Sequence, residues 1–109
     1  MNRINKVFKD NEKKLITFLV INDPEFETSL RSVFAMIENG ADIVELGIPF
    51  SDPVAEGPVI QKANERAILS GFNINRAFDF VIEIRKKYET PLLYLTYFNI
   101  IDIRDNAQG

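Results

Sequence analysis

The sequence predicts an α/β fold of parallel strands joined by helices, and three observations carry that expectation. Leu15–Ile21 and Leu92–Thr96 are runs of strand length made of apolar residues and Thr, the pattern of strands buried on both faces. Segments between such runs repeat their apolar residues at helical spacing, and strand–helix alternation of this kind means parallel strands with right-handed crossovers. The middle strand, Ile43–Leu46, holds an acid, Glu45, and runs directly into a loop rich in Gly and Pro that carries Asp52 and Glu56. An acid at the carboxyl end of a strand, followed by a stiff acidic loop, is the layout of an α/β active site.

The elements follow in order. Ile4, Val7 and Phe8 lie at helical spacing, so a short amphipathic helix opens the chain. After the first strand, Asn22-Asp23-Pro24 supplies a turn, with Asp23 as helix N-cap and Pro24 at the first helical position. Phe26, Leu30, Val33, Phe34 and Ile37 line one face of that helix, and Gly40 closes it. Beyond the acidic loop, Pro58 starts a second helix with Ile60, Ala63, Ala67 and Ile68 on its face, ending at Gly71. Asn73 caps a third helix, in which Ile74, Ala77, Phe78, Val81, Ile84 or Ile82, and Tyr88 point inward. Pro91 stops continuation before the third strand.

Spacing adds to this. The first two strands start 28 positions apart (Leu15 to Ile43), a normal strand–helix repeat, whereas the next interval, Ile43 to Leu92, is 49. The insertion is the acidic loop with its extra helix, at the strand end where α/β enzymes carry functional loops. The tail from Asp102 to Gly109 shows no period, and three parallel strands would leave an unpaired edge. The expectation is one domain over residues 1–109 that forms the front part of a larger α/β protein.

Composition narrows the chemistry. A net charge of -3, with basic residues mixed among acids as in Arg85-Lys-Lys-Tyr-Glu89, argues against a nucleic-acid partner. The chain has neither Cys nor His. Disulfides, thiolate or imidazole metal sites and His-based triads are therefore excluded, no metal is expected, and proton chemistry falls to carboxylates, Tyr or Lys. The N-terminus lacks the apolar core of a signal peptide, and no apolar run approaches the ~20 residues of a membrane span, so a cytoplasmic protein is expected.

On the residues alone, Glu45 is accounted for equally by a structural ion pair and by catalysis, because a carboxylate among apolar neighbours needs a partner or a proton. Glu56 reads as a solvated loop acid and Asp52 as a turn former. Phe18 and Leu95 read as core, Tyr97 as a packed aromatic with a wet hydroxyl, and Asn99 as a turn residue.

Glu45-Leu-Gly-Ile-Pro-Phe-Ser-Asp-Pro-Val-Ala-Glu-Gly-Pro-Val-Ile-Gln61, then Ala63-Asn64 and Arg66-Ala67, resembles the signature of the tryptophan synthase alpha subunit. The resemblance runs from the opening helix to Tyr97-Phe98-Asn99, and its fixed Gly, Pro and acid positions make it far more specific than a short glycine motif. It implies a partial TIM (β/α)8 barrel: an N-terminal helix that closes the bottom, then about the first three βα units of a fold that runs to ~250 residues. It implies retro-aldol cleavage of indole-3-glycerol phosphate to indole and glyceraldehyde 3-phosphate. It also implies an alpha2-beta2 assembly with a beta subunit, which alone would hold pyridoxal phosphate; no cofactor is expected in this chain.

By the same resemblance, Glu45 is the general acid/base that protonates the indole ring carbon, and Glu56 is the second catalytic carboxylate, facing the indole nitrogen. Phe18 and Leu95 match the indole pocket, Tyr97 a substrate contact, and Asp52, Pro53 and Asn99 positions facing the beta subunit. Three positions depart from the family's usual pattern. Glu56 stands where Asp is familiar, Asn22 where Gly is usual, and Ile100 where Pro commonly follows the Asn. The phosphate in such a barrel is held after the seventh and eighth strands, outside the resemblance, so residues 1–109 alone are expected to be incompetent. The alternative is a non-catalytic module that binds the beta subunit through Ser51-Asp52-Pro53. A different phosphosugar-binding barrel is a weaker reading, since fold alone does not fix function.

Overall fold

In the computed structural model, which describes residues 13–49, 57–96 and 100–103, four strands form one sheet in the order β1-β2-β3-β4. They are β1 (Ile16–Val20), β2 (Ile43–Gly47), β3 (Leu92–Leu95) and β4 (Ile100–Ile103). Three helices accompany them: α1 (Phe26–Glu38), α2 (Pro58–Leu69) and α3 (Ile74–Arg85). The first three strands are parallel, as their sequence patterns require, and the helix expected before Leu15 lies outside the described residues.

β4 is a departure from the expected unpaired edge. Ile100–Ile103 runs antiparallel to β3, with Leu92 opposite Ile103 and Leu95 opposite Ile100. The connection, residues 96–99, is far shorter than the roughly dozen residues a parallel crossover needs, so the chain can only turn back on itself. Three isoleucines in four positions favour a strand there, and Ile103 is buried in the core.

Register divides the sheet into two faces. Phe18, Glu45 and Leu93 are aligned across the three parallel strands, as are Val20, Gly47 and Leu95. Because side chains alternate, Val44, Leu46 and Leu92 project the other way. They join Ile21, Leu30, Val33, Ala77, Phe80 and Ile84 in the main core beneath α1 and α3. On the Glu45 face a smaller cluster forms from Val20, Ala63 and Ala67, with Phe18 packed against it.

Both ends of α1 are set by local chemistry, but the N-terminal cap is not the expected one. The Asp23–Pro24 peptide is cis and the helix begins at Phe26, with Glu25 as N-cap. Glu25 has an extended backbone, and its carboxylate accepts from the N–H groups of Glu27 (2.8 Å) and Thr28 (3.2 Å). Asp23 lies two residues before the N-cap position, and its carboxylate is paired with Arg66 instead. The Thr28 hydroxyl also donates to the Glu25 carboxylate, and that bond lowers the Glu25 pKa from its ordinary value. At the other end Gly40 adopts φ 108, which an L side chain rarely tolerates, and its N–H meets the Ile37 carbonyl.

The expected starts of the other helices are observed. Pro58 opens α2, and Asn73 caps α3 by accepting from the Arg76 N–H at 3.1 Å. The inward face of α3 keeps the expected Ala77 and Ile84, with Val81 and Tyr88 packed against the core, but takes Phe80 in place of Ile74 and Phe78. Ala77, Phe80 and Ile84 are buried, while Ile74, Phe78 and Ile82 are exposed. Both sets obey the helical period, so only the partner decides between them. That partner is Phe26 of α1, whose ring meets Phe80 edge-on with centroids 5.6 Å apart.

Tyr94 on β3 ties the sheet to α3. Its hydroxyl donates to the Ala77 carbonyl at 3.0 Å, and burial pushes its pKa up to about 12. An unfolded tyrosine titrates near ~10, so the folded-state value is raised. The stabilisation is therefore whole below that pH and is lost as pH climbs through the folded value. Tyr94→Phe is expected to lower unfolding stability at neutral pH by about 0.5–1.5 kcal/mol. The variant should also lose less stability than the wild type between pH ~10 and ~12 in denaturant titrations, and equal alkaline losses would contradict this assignment.

Candidate functional site

The face that carries Glu45 opens into a cavity of about 310 Å³ at the carboxyl ends of the parallel strands. That volume falls at the lower end of the ~300–1,000 Å³ range of small-molecule sites. Phe18 and Val20 of β1, Glu45 and Gly47 of β2, and Leu95 of β3 form its floor. Ile48 and Thr96, just past their strands, form the rim, and Ile60 and Asn64 of α2 form a wall.

The strand ends are stitched together around this space. The Ile21 N–H donates to the Gly47 carbonyl and the Ile48 N–H to the Leu95 carbonyl, each at 3.0 Å. Gly47 has a specific purpose here. A Cβ at this position would lie 3.0 Å from two ring carbons of Phe18, closer than side chains ordinarily pack. Glycine thus leaves room for the Phe18 ring over β2, in the cavity that Glu45 also lines. The result is a half-buried carboxyl group in a largely apolar chamber that an aromatic ring also lines.

Of the residues singled out from sequence, Phe18, Glu45 and Leu95 are brought together in this cavity. Glu56, Tyr97, Asp52, Pro53 and Asn99 lie outside the described residues. Ile60, Asn64, Val20 and Thr96 belong to the cavity but were not singled out as site residues. A signal for Asn64 was present: it sits one turn after Ile60 on the buried stripe that continues to Ala67, where a polar residue needs a reason. Among the described residues no group of three or more acids is gathered as a metal site requires, and no helix is long and apolar enough to cross a membrane.

This arrangement sits in a stretch whose relatives are known. The family model described as tryptophan synthase alpha chain matches residues 4–107. The chain belongs to the tryptophan synthase alpha chain family. It is 50% identical over 101 residues to the alpha chain of Lacticaseibacillus casei, covering 93% of this chain and 38% of that one. It is 46% identical over 100 residues to that of Alkaliphilus metalliredigens, covering 92% and 38%. Among solved structures, tryptophan synthase subunit alpha from Legionella pneumophila superposes with a TM-score of 0.83 at 41% identity, over 91% of this chain and 40% of that one. The tryptophan synthase complex from Pyrococcus furiosus gives 0.73 at 41% identity, over 79% and 35%. The fold is thus part of the family's barrel, with three parallel strands and three helices. The chain spans about two-fifths of the length of the curated relatives it matches.

Proposed function

We propose that this chain supplies the catalytic carboxylates and the indole-binding floor of a tryptophan synthase alpha subunit, a carbon–carbon lyase that splits indole-3-glycerol phosphate. The observation that carries the reading is Glu45 in an apolar cavity at the strand ends, flanked by Phe18 and Leu95, in a member of this family. Cleavage requires a proton on the indole ring carbon as its bond to the glycerol chain breaks. The hydroxyl on the departing carbon loses its proton as it becomes the aldehyde, so the proton count balances. Glu45 is suited to deliver the ring proton, because its carboxyl group opens into the space an aromatic ring would fill. Phe18 and Leu95 offer apolar surface to that ring.

Glu56 is assigned as the second carboxylate, facing the indole nitrogen, and Tyr97 as a further substrate contact. Asp52, Pro53 and Asn99 are assigned to contact with a beta subunit. Among the solved relatives are tryptophan synthase complexes, one of them the a2b2 complex from Pyrococcus furiosus, which supports an alpha2-beta2 partnership here. Pyridoxal phosphate would belong to the beta partner.

The test is an indole-release assay with indole-3-glycerol phosphate on two samples. An alpha chain of the family's full length that carries residues 1–109 is expected to release indole. Residues 1–109 alone are expected to give no turnover, because the binding energy that supports the chemical step includes the phosphate, held elsewhere in the barrel. Silence from the longer protein would sink the enzymatic reading. If residues 1–109 also changed the beta partner's activity without releasing indole, the binding-module alternative would be favoured for that piece.

A further inference from the structure

We propose that Asn22 is a positioning residue: with Ser70, Asp23 and Arg66 it clamps the carboxyl end of α2, and so holds the helix that walls the cavity. The proposal rests on the reading above only for the nature of the ligand; the clamp itself stands on geometry.

α2 contributes Ile60 and Asn64 to the cavity, yet its own packing is thin. The residues it buries are Ala63, Asn64 and Ala67, while Val59 is 75% and Leu69 87% exposed. Alanines bury little area, so the hydrophobic effect holds this helix less firmly than it holds α1 or α3. Polar contacts at its far end make up the difference. Asn22 follows β1 in a left-handed conformation, φ 75, which Asn tolerates better than most residues. Its side-chain amide donates to Ser70 Oγ at 2.6 Å and to the Ala67 carbonyl at 3.2 Å. Ser70 Oγ in turn lies 2.9 Å from the Asn22 carbonyl, positioned to donate back. On its other side the Asn22 N–H donates to Ser29 Oγ of α1 at 3.1 Å.

One residue therefore joins the end of β1, the start of α1 and the end of α2. Asn22 is only 1% exposed and Ser29 fully buried, so the bonds from Asn22 to Ser29 and to the Ala67 carbonyl are shielded from water, while the one to Ser70 lies at the edge of the surface. The neighbouring Asp23 grips α2 again through Arg66, with Oδ1 to Nε at 2.7 Å and Oδ2 to Nη2 at 3.0 Å. That pair is largely solvent-exposed on the Arg66 side and contributes less than the buried Asn22 bonds. Asn64 is about one turn from Ala67, and Ile60 about two. A helix released at its carboxyl end would move both wall residues.

The experiment compares wild type, Asn22→Gly, Ser70→Ala and the double variant in the intact protein. Glycine keeps the backbone conformation and removes only the side chain's grip. Amide exchange is read over α2, with α3 as internal reference, and indole binding is read by titration calorimetry. Each single variant is expected to speed exchange in α2 by about tenfold while α3 is unchanged, and to weaken indole binding. The double variant should fall short of the sum of the two single effects, because both changes break the Asn22–Ser70 side-chain contact. Unchanged exchange in α2, or equal acceleration in α2 and α3, would overturn the clamp. Should Asn22→Gly fail to fold, Ser70→Ala, at an exposed position, decides the matter alone. If wild type binds no indole, the ligand reading of the cavity fails while the exchange comparison still judges the clamp.

Discussion

Glu45→Gln is expected to lower the rate of indole release by about 10²–10⁴ in an alpha chain of the family's full length that carries this sequence. The substitution keeps the size and most of the polarity of the side chain and removes its exchangeable acid proton. Among the described residues that line the cavity, no other side chain can take over that function. Phe18, Val20, Leu95 and Ile60 around it are apolar, and Asn64 and Thr96 cannot cycle a proton near neutral pH. The loss should fall on turnover rather than on substrate affinity, because the carboxyl group acts in the transition state while the apolar walls bind. Thermal unfolding measured alongside separates chemistry from folding. A variant that keeps wild-type turnover would show that Glu45 is a structural acid, the reading its residues alone left open.

The largest stability effect is expected at Phe80. Phe80→Ala should destabilise the fold by about 3–5 kcal/mol, the usual range for removing a buried aromatic. Phe80 is fully buried, stands among the largest buried side chains, and meets Phe26 edge-on. Phe78→Ala, two residues away, should cost less than about 1 kcal/mol, because its ring is 41% exposed. Urea unfolding of the two variants side by side is the measurement. Equal losses would contradict the burial of Phe80 over Phe78, and a larger loss at Phe78 would restore the inward position that the sequence pattern assigned to it.

That pair of variants also marks where sequence reading stopped. In α3 two stripes satisfy the same period, Ala77-Phe80-Ile84 and Ile74-Phe78-Ile82, and periodicity cannot rank them. At the start of α1, Asp23 looked like the cap because Asp is a strong capping residue and Glu is not. The helix instead starts at Phe26 with Glu25 as its cap, and Asp23 pairs with Arg66, 43 positions away. The strand at Ile100–Ile103 was missed because its apolar residues span only four positions, and pairing with β3 is what makes them a strand.

By itself the sequence determined the α/β class, the three parallel strands and the acid at the end of β2, because apolar runs, helix stops and turn residues act within a few positions of themselves. It also determined the family, since the stretch from Glu45 to Gln61 is long and its Gly, Pro and acidic positions are all restrictive. Only the tertiary structure decided that Phe18, Glu45 and Leu95 share one chamber with Ile60 and Asn64, that Gly47 leaves room for the Phe18 ring, and that Asn22 secures α2. Those outcomes depend on strand register and on contacts between residues some 45 positions apart, and no local pattern encodes which distant partner a side chain will meet.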